Sequence, residues 1–120
     1  MKPYQDARVK GEKLAKQYAE LEKADQVDFF NGLEAYYSVL GHNKKQEAIA
    51  VLIEKNDHKI YIYQLDKGIS QDKAATISRE KGASDIDKIT FGRYQDKPIW
   101  EVKSGNQYYL VDFETGAVIQ

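Results

Sequence analysis

Val27-Asp28-Phe29-Phe30-Asn31-Gly32, followed by Ala35-Tyr36-Tyr37-Ser38-Val39-Leu40, reads as two β-rich runs joined by an Asn-Gly turn. Asn and Gly both accept positive φ, which the tight turns of antiparallel hairpins require. The pattern continues downstream. Gly41–Lys45 reads as a loop. Ala48–Ile53 is a continuous apolar run rich in β-branched residues, Asn56-Asp57-His58 is a turn, and Lys59–Leu65 is a strand. Upstream, Pro3–Lys23 carries helical spacing: Ala7, Leu14, Tyr18 and Leu21 recur at three, four or seven residues. Pro3 suits a first helical turn, and Gly11 costs about 1 kcal/mol relative to Ala. Glu12–Lys16 and Glu20–Lys23 add weak intrahelical pairs. One helix followed by hairpin-joined strands makes the first half α+β.

The second half repeats that order. Asp66-Lys67-Gly68 separates the halves, and Ser70 is placed to cap a short helix containing Ala74, Ala75, Ile77 and Ser78. Asp72 suits the helix dipole, and Gly82 can take the left-handed cap. Three strands follow, at 86–94, 98–103 and 107–113, with turns at Gln95-Asp96-Lys97 and Ser104-Gly105-Asn106. Glu114-Thr115-Gly116 turns the chain once more before Ala117-Val118-Ile119. The expected organisation is two modules, 1–66 and 67–120, each a helix packed on an antiparallel sheet. Halves of this size are marginal alone, so they are expected to pack together.

The whole chain is 120 residues with 42% hydrophobic and 31% charged side chains and a formal net charge of −1. That balance lacks the basic excess of a nucleic-acid module. No apolar run is long enough to span a bilayer, and Met1-Lys2-Pro3-Tyr4 opens no signal peptide. Cysteine is absent, which removes disulfides, thiolate metal sites and a Cys nucleophile. The two histidines, His42 and His58, fall in predicted turns and lack the further ligands that zinc requires. No metalloprotease, phosphate-loop, nucleophile-elbow or dinucleotide motif is present. Asp112 beside Thr115-Gly116 reads as the acceptor of an Asx-type turn, not as a catalytic acid. No cofactor is expected.

Aromatics are the informative class. Adjacent rings occur at Phe29-Phe30, Tyr36-Tyr37 and Tyr108-Tyr109. Neighbours on a strand point to opposite faces, so each pair sends one ring to the helix-covered core and one to the other face. Trp100 with Val102, and Tyr109 with Val111 and Phe113, are expected in the core. Tyr61 and Tyr63, with Tyr36 and Tyr108, are expected on an open sheet face or at the seam between modules, and are the candidate protein-binding residues. Tyrosine suits a surface that is apolar on one side and wet on the other.

Gly68-Ile69-Ser70-Gln71-Asp72-Lys73-Ala74-Ala75, Pro98-Ile99-Trp100-Glu101-Val102 and the closing Asp112, Thr115, Gly116 and Val118 resemble a PepSY module. Asp25–Gly32 and Tyr36–Gly41, preceded by the charged helix, resemble the N-terminal module of the YpmB/TseB-like family. That resemblance covers nearly the whole chain. It implies two tandem cystatin-like modules and an extracytoplasmic protein of Gram-positive bacteria. It also implies tethering to the outer face of the cytoplasmic membrane by an N-terminal helix outside this sequence. The implied role is non-enzymatic regulation of cell-wall elongation, through a protein partner such as an elongation-type penicillin-binding protein. A PepSY-type protease-inhibitory or chaperone-like role is the alternative, since an open sheet edge can add a peptide strand. Binding of wall polymers is a third reading. The resemblance supplies no catalytic residues.

Overall fold

The computed structural model describes residues 3–119, with side chains from Arg8 onward. Met1 and Lys2, and the Ala7 side chain of the expected helical stripe, lie outside the described part. The chain divides into two compact units between Gln64 and Leu65.

In the first unit, α1 (Pro3–Tyr18) precedes β1 (Leu21–Asn31), β2 (Ala35–Asn43), β3 (Ala48–Glu54) and β4 (Ile60–Gln64). The four strands form one antiparallel sheet in sequential order. Helix α1 lies across β1, β2 and β3. Its buried small residues, Gly11 and Ala15, together with Ala19 just past its end, face the sheet. The Gly11 position comes so close that a Cβ there would lie 3.2 Å from Tyr37 Cβ. The helical cost of glycine thus accompanies close approach of helix and strand. Leu21, Val27, Tyr37, Val39, Ile49, Val51 and Ile53 complete this core, with Leu14, Phe29 and Ile60 at its margin.

Two expectations are corrected here. The helix ends at Tyr18, not Lys23: Glu20 takes a left-handed φ of 56°, and Leu21 opens β1. Leu21 keeps its place in the core but reaches it from a strand. The Asn31-Gly32 hairpin is real but is not a two-residue positive-φ turn. Asn31 pairs with Ala35 across a three-residue connection, and neither Asn31 nor Gly32 has positive φ. Gly32 is needed for space, since a Cβ would come 2.7 Å from the Phe30 ring. The two-residue turn with both central residues at positive φ is Gln95-Asp96, at 49° and 66°.

In the second unit, a 3-10 turn (Leu65–Lys67) leads to α2 (Gln71–Glu80), then β5 (Lys88–Tyr94), β6 (Lys97–Ser104) and β7 (Gln107–Asp112). The strands form an antiparallel sheet in sequential order. Ser70 Oγ accepts from Lys73 N–H at 3.0 Å, the expected N-cap. At the other end Ala83 N–H donates to Ser78 O and Gly82 N–H to Arg79 O, with Gly82 at φ 115°. This is a Schellman cap, which satisfies two carbonyls that the helix leaves unpaired.

Helix α2 packs on β6 and β7. Beneath the link that precedes it lies a ring cluster. Phe91 meets Trp100 edge-on at 4.9 Å and Phe113 at 5.2 Å. Trp100, Val102, Val111 and Phe113 are buried, and Tyr109 is half-buried. Two hydrogen bonds pin the link onto the sheet: Ile69 N–H donates to Phe113 O at 2.8 Å, and Trp100 Nε1–H donates to Ile69 O at 3.0 Å. A buried indole N–H needs such an acceptor.

Candidate interaction surface

Strand alternation sorts the aromatics. In the first unit Tyr37 points to the α1 side, while Phe30 and Tyr36 point to the other. The opposite-face set continues across the sheet, where Tyr61 pairs with Leu52 and Tyr63 with Ala50. Phe30 and Tyr36 rings stand 6.3 Å apart, as do Tyr36 and Tyr61, the latter pair edge-on. The sequence thus brings Tyr36 and Tyr61 together from two strands separated by β3.

Exposure differs along this row. Tyr36 is 2% exposed and Phe30 1%. Of the two places expected for Tyr36, an open sheet face or a seam, the first does not hold, because the face is closed at this ring. Its hydroxyl donates to Glu34 Oε2 at 3.0 Å. Tyr61 and Tyr63 are half-buried, while Ile62, on the α1 side, is 50% exposed. In the second unit Tyr108 is 53% exposed and pairs with Lys103. Tyr109 points the other way, its hydroxyl near Gly82 at the end of α2.

Charge collects beside Tyr36. Glu54 pairs with it across β2–β3 and is buried. Burial pushes the Glu54 carboxyl above the usual carboxylate range. The Glu34 and Asp57 carboxylates and a hydrogen bond with Asp57 push the same way, against the opposing pull of Lys59. In the second unit burial also raises Glu101, against the pull of Lys88.

A second polar locus escaped the sequence reading. His42 lies on β2, not in a loop, and its Nδ1 sits 2.9 Å from Asp25 Oδ2. Two register shifts in β1 leave Glu22 and Asp25 as extra residues opposite β2. Such bulges re-aim side chains, and here the second presents Asp25 to His42. Gly41 permits the bulged backbone to approach, since a Cβ there would overlap Lys23 O. Gly41 was the one local signal of the arrangement. His58 lies in the β3–β4 connection at φ 58°. Among the described residues no group of three or more His, Cys, Asp or Glu could hold a metal ion. No described helix is long and apolar enough to cross a membrane.

Asp112 is committed to structure. Its Oδ1 accepts from Glu114 N–H at 2.8 Å and Thr115 N–H at 3.0 Å. Thr115 Oγ1 accepts from Ala117 N–H. The turn lays Ala117–Ile119 along β7, where Ile119 N–H donates to Leu110 O and Asp112 N–H to Ala117 O. This is the Asx-type reading, and it explains the Asp-x-x-Thr-Gly spacing without catalysis.

Comparison with known proteins gives these features a setting. The family described as "Cell wall elongation regulator TseB-like domain" matches residues 10–54. The probable cell wall elongation regulator TseB of Bacillus subtilis (strain 168) is 38% identical, over 88% of this chain and 70% of its own length. The solved structure of the YpmB protein from Bacillus subtilis superposes with a TM-score of 0.77 at 32% identity. That match covers 100% of this chain and 96% of that one. A putative lipoprotein of Clostridium difficile 630 is more distant, with a TM-score of 0.45 and 15% identity over 98% of this chain and 90% of its own. Identity at this level over most of both chains, with the same arrangement of helices and antiparallel sheets, places the chain in the TseB-like family of cell wall elongation regulators.

Proposed function

We propose that this chain is a non-enzymatic, extracytoplasmic protein-binding module that regulates cell-wall elongation through a partner in peptidoglycan synthesis. The partner class is an elongation-type penicillin-binding protein, met at the outer face of the cytoplasmic membrane. In this reading the two units are cystatin-like, and the second is a PepSY module. The observation that carries the proposal is the 38% identity to a protein named as a probable cell wall elongation regulator.

Three features support it. The Asp112 tract, the motif most open to a catalytic reading, is consumed by backbone hydrogen bonds. Tyr108 in the second unit and Tyr61 and Tyr63 in the first offer amphipathic rings of the kind that anchor protein interfaces. The Tyr36 ring meets the Tyr61 ring edge-on at 6.3 Å on the same sheet face. The mechanism is recognition that adjusts the placement or level of the partner. The test is deletion of the gene, complemented by wild type, by Tyr61→Ala/Tyr63→Ala and by Tyr108→Ala. Altered cell shape and wall-antibiotic sensitivity that wild type restores and a tyrosine variant fails to restore is the expected result. A deletion with normal shape and drug sensitivity would sink the proposal.

A further inference from the structure

The outward face of α1 carries charge that the sheet contacts leave fixed in solvent. Gly11, Ala15 and Ala19 are committed to the sheet, so the helix cannot roll. The opposite face then presents Val9, Lys10, Lys13, Lys16 and Gln17, all exposed. Val9, Lys13, Lys16 and Gln17, with Glu12, line an open groove along the helix. Lys16 is held at 2.9 Å by Glu12. Among the described residues, Lys10 and Lys13 make no ion pair within 4 Å. At 1.5 Å rise per residue, Lys10, Lys13 and Lys16 form a ladder about 9 Å long.

We propose that this ladder is a docking surface for a polyanionic chain of repeating phosphodiesters, an anionic wall polymer. Charge complementarity favours that occupant. The face has a single apolar side chain, Val9, whereas a helix that inserts into a lipid interface needs a whole apolar face. It also lacks the Trp, Tyr and Arg anchors of a protein hot spot. Flexible lysine stems bearing hydrated point charges suit a mobile, solvated phosphate chain. The inference uses the wall-side location in the proposed function, but not the protein partner. Its failure would leave the partner reading standing, because that reading is tested by genetics and crosslinking.

The experiment titrates the full chain with poly(glycerol phosphate) and, in parallel, with vesicles containing anionic phosphatidylglycerol, at about 20 and about 150 mM salt. The comparison variants are Lys10→Gln/Lys13→Gln/Lys16→Gln and a control, Lys44→Gln/Lys45→Gln, in the β2–β3 connection. Circular dichroism checks that each remains folded. The expected result is binding to the polymer that weakens with salt at a log–log slope near −2, the value for about three neutralised charges. The α1 variant should bind at least about tenfold more weakly at low salt, and the control should match wild type. Absence of polymer binding would overturn the proposal. So would equal loss in the control, or binding to vesicles alone.

Discussion

Replacing Gly68 by alanine tests how the second unit holds its helix. An alanine Cβ would overlap Phe113 O and sit 2.6 Å from two carbons of the Phe113 ring. Non-bonded carbons need about 3.5 Å, so the link must lift by roughly 0.9 Å. That displacement carries the 2.8 Å bond from Ile69 N–H to Phe113 O beyond hydrogen-bonding range. It also stretches the 3.0 Å bond from Trp100 Nε1–H to Ile69 O. Each bond contributes about 1 kcal/mol, and buried groups left unpaired cost about 1–3 kcal/mol more. The expected loss is about 3 kcal/mol. Trp100 is the only tryptophan and sits in the contact, so urea unfolding followed by its fluorescence reads this unit directly. Gly105→Ala is the comparison. It has open space but a φ of 61°, and should cost only about 1–2 kcal/mol. A Gly68→Ala loss below about 1 kcal/mol, or no larger than that of Gly105→Ala, would refute the pinned-link argument.

Other positions carry separate expectations. Ser78 Oγ is buried in α2 without a hydrogen-bond partner among the described residues, so Ser78→Ala should raise stability by about 0.5–1 kcal/mol in the same assay; a loss would show that the hydroxyl is satisfied. Asp112→Ala removes two hydrogen bonds and should cost about 1–2 kcal/mol while accelerating hydrogen exchange at the Ile119 amide; unchanged exchange there would contradict the turn's role. The Glu54 carboxyl is raised above its unfolded value, so between the unfolded and folded pKa the folded state binds more protons than the unfolded state. Its contribution is favourable below about pH 4.5 and fades as pH rises through the raised folded pKa. Glu54→Gln should remove that fall, shown by urea midpoints from about pH 4.5 to 8. A wild-type-minus-variant difference that grows with pH would reverse the sign of the argument.

Local chemistry was legible in the sequence where the deciding residues are neighbours. Ser70 with Lys73, Gly82 with Arg79, and Asp112 with Thr115 each satisfy backbone groups a few residues away, so spacing alone revealed them. Residues 48–53 betrayed a strand buried on both faces by an unbroken apolar run. What the spacing concealed was set by distant contacts. Leu21 continues the helical period, yet it belongs to β1, because Glu20 turns the chain and β2 offers a partner for the backbone beyond it. The Asn31-Gly32 pair promised a tight turn, while Gln95-Asp96 adopts one without glycine. Burial of Tyr36 depends on packing of the sheet face, which alternation does not report. The Asp25–His42 pair arises from two bulges, and only Gly41 marks them in the sequence. The candidate surface was legible as an aromatic pattern, but the division between buried Tyr36 and exposed Tyr108 was not.

The most direct test of the regulatory account is photo-crosslinking in living cells. A photoreactive amino acid replaces Tyr108, and separately Tyr61, in the gene product, and adducts are identified by mass spectrometry. The expected result is a discrete adduct with a peptidoglycan-synthesis protein from at least one position. Crosslinks confined to the chain itself at both positions would contradict it.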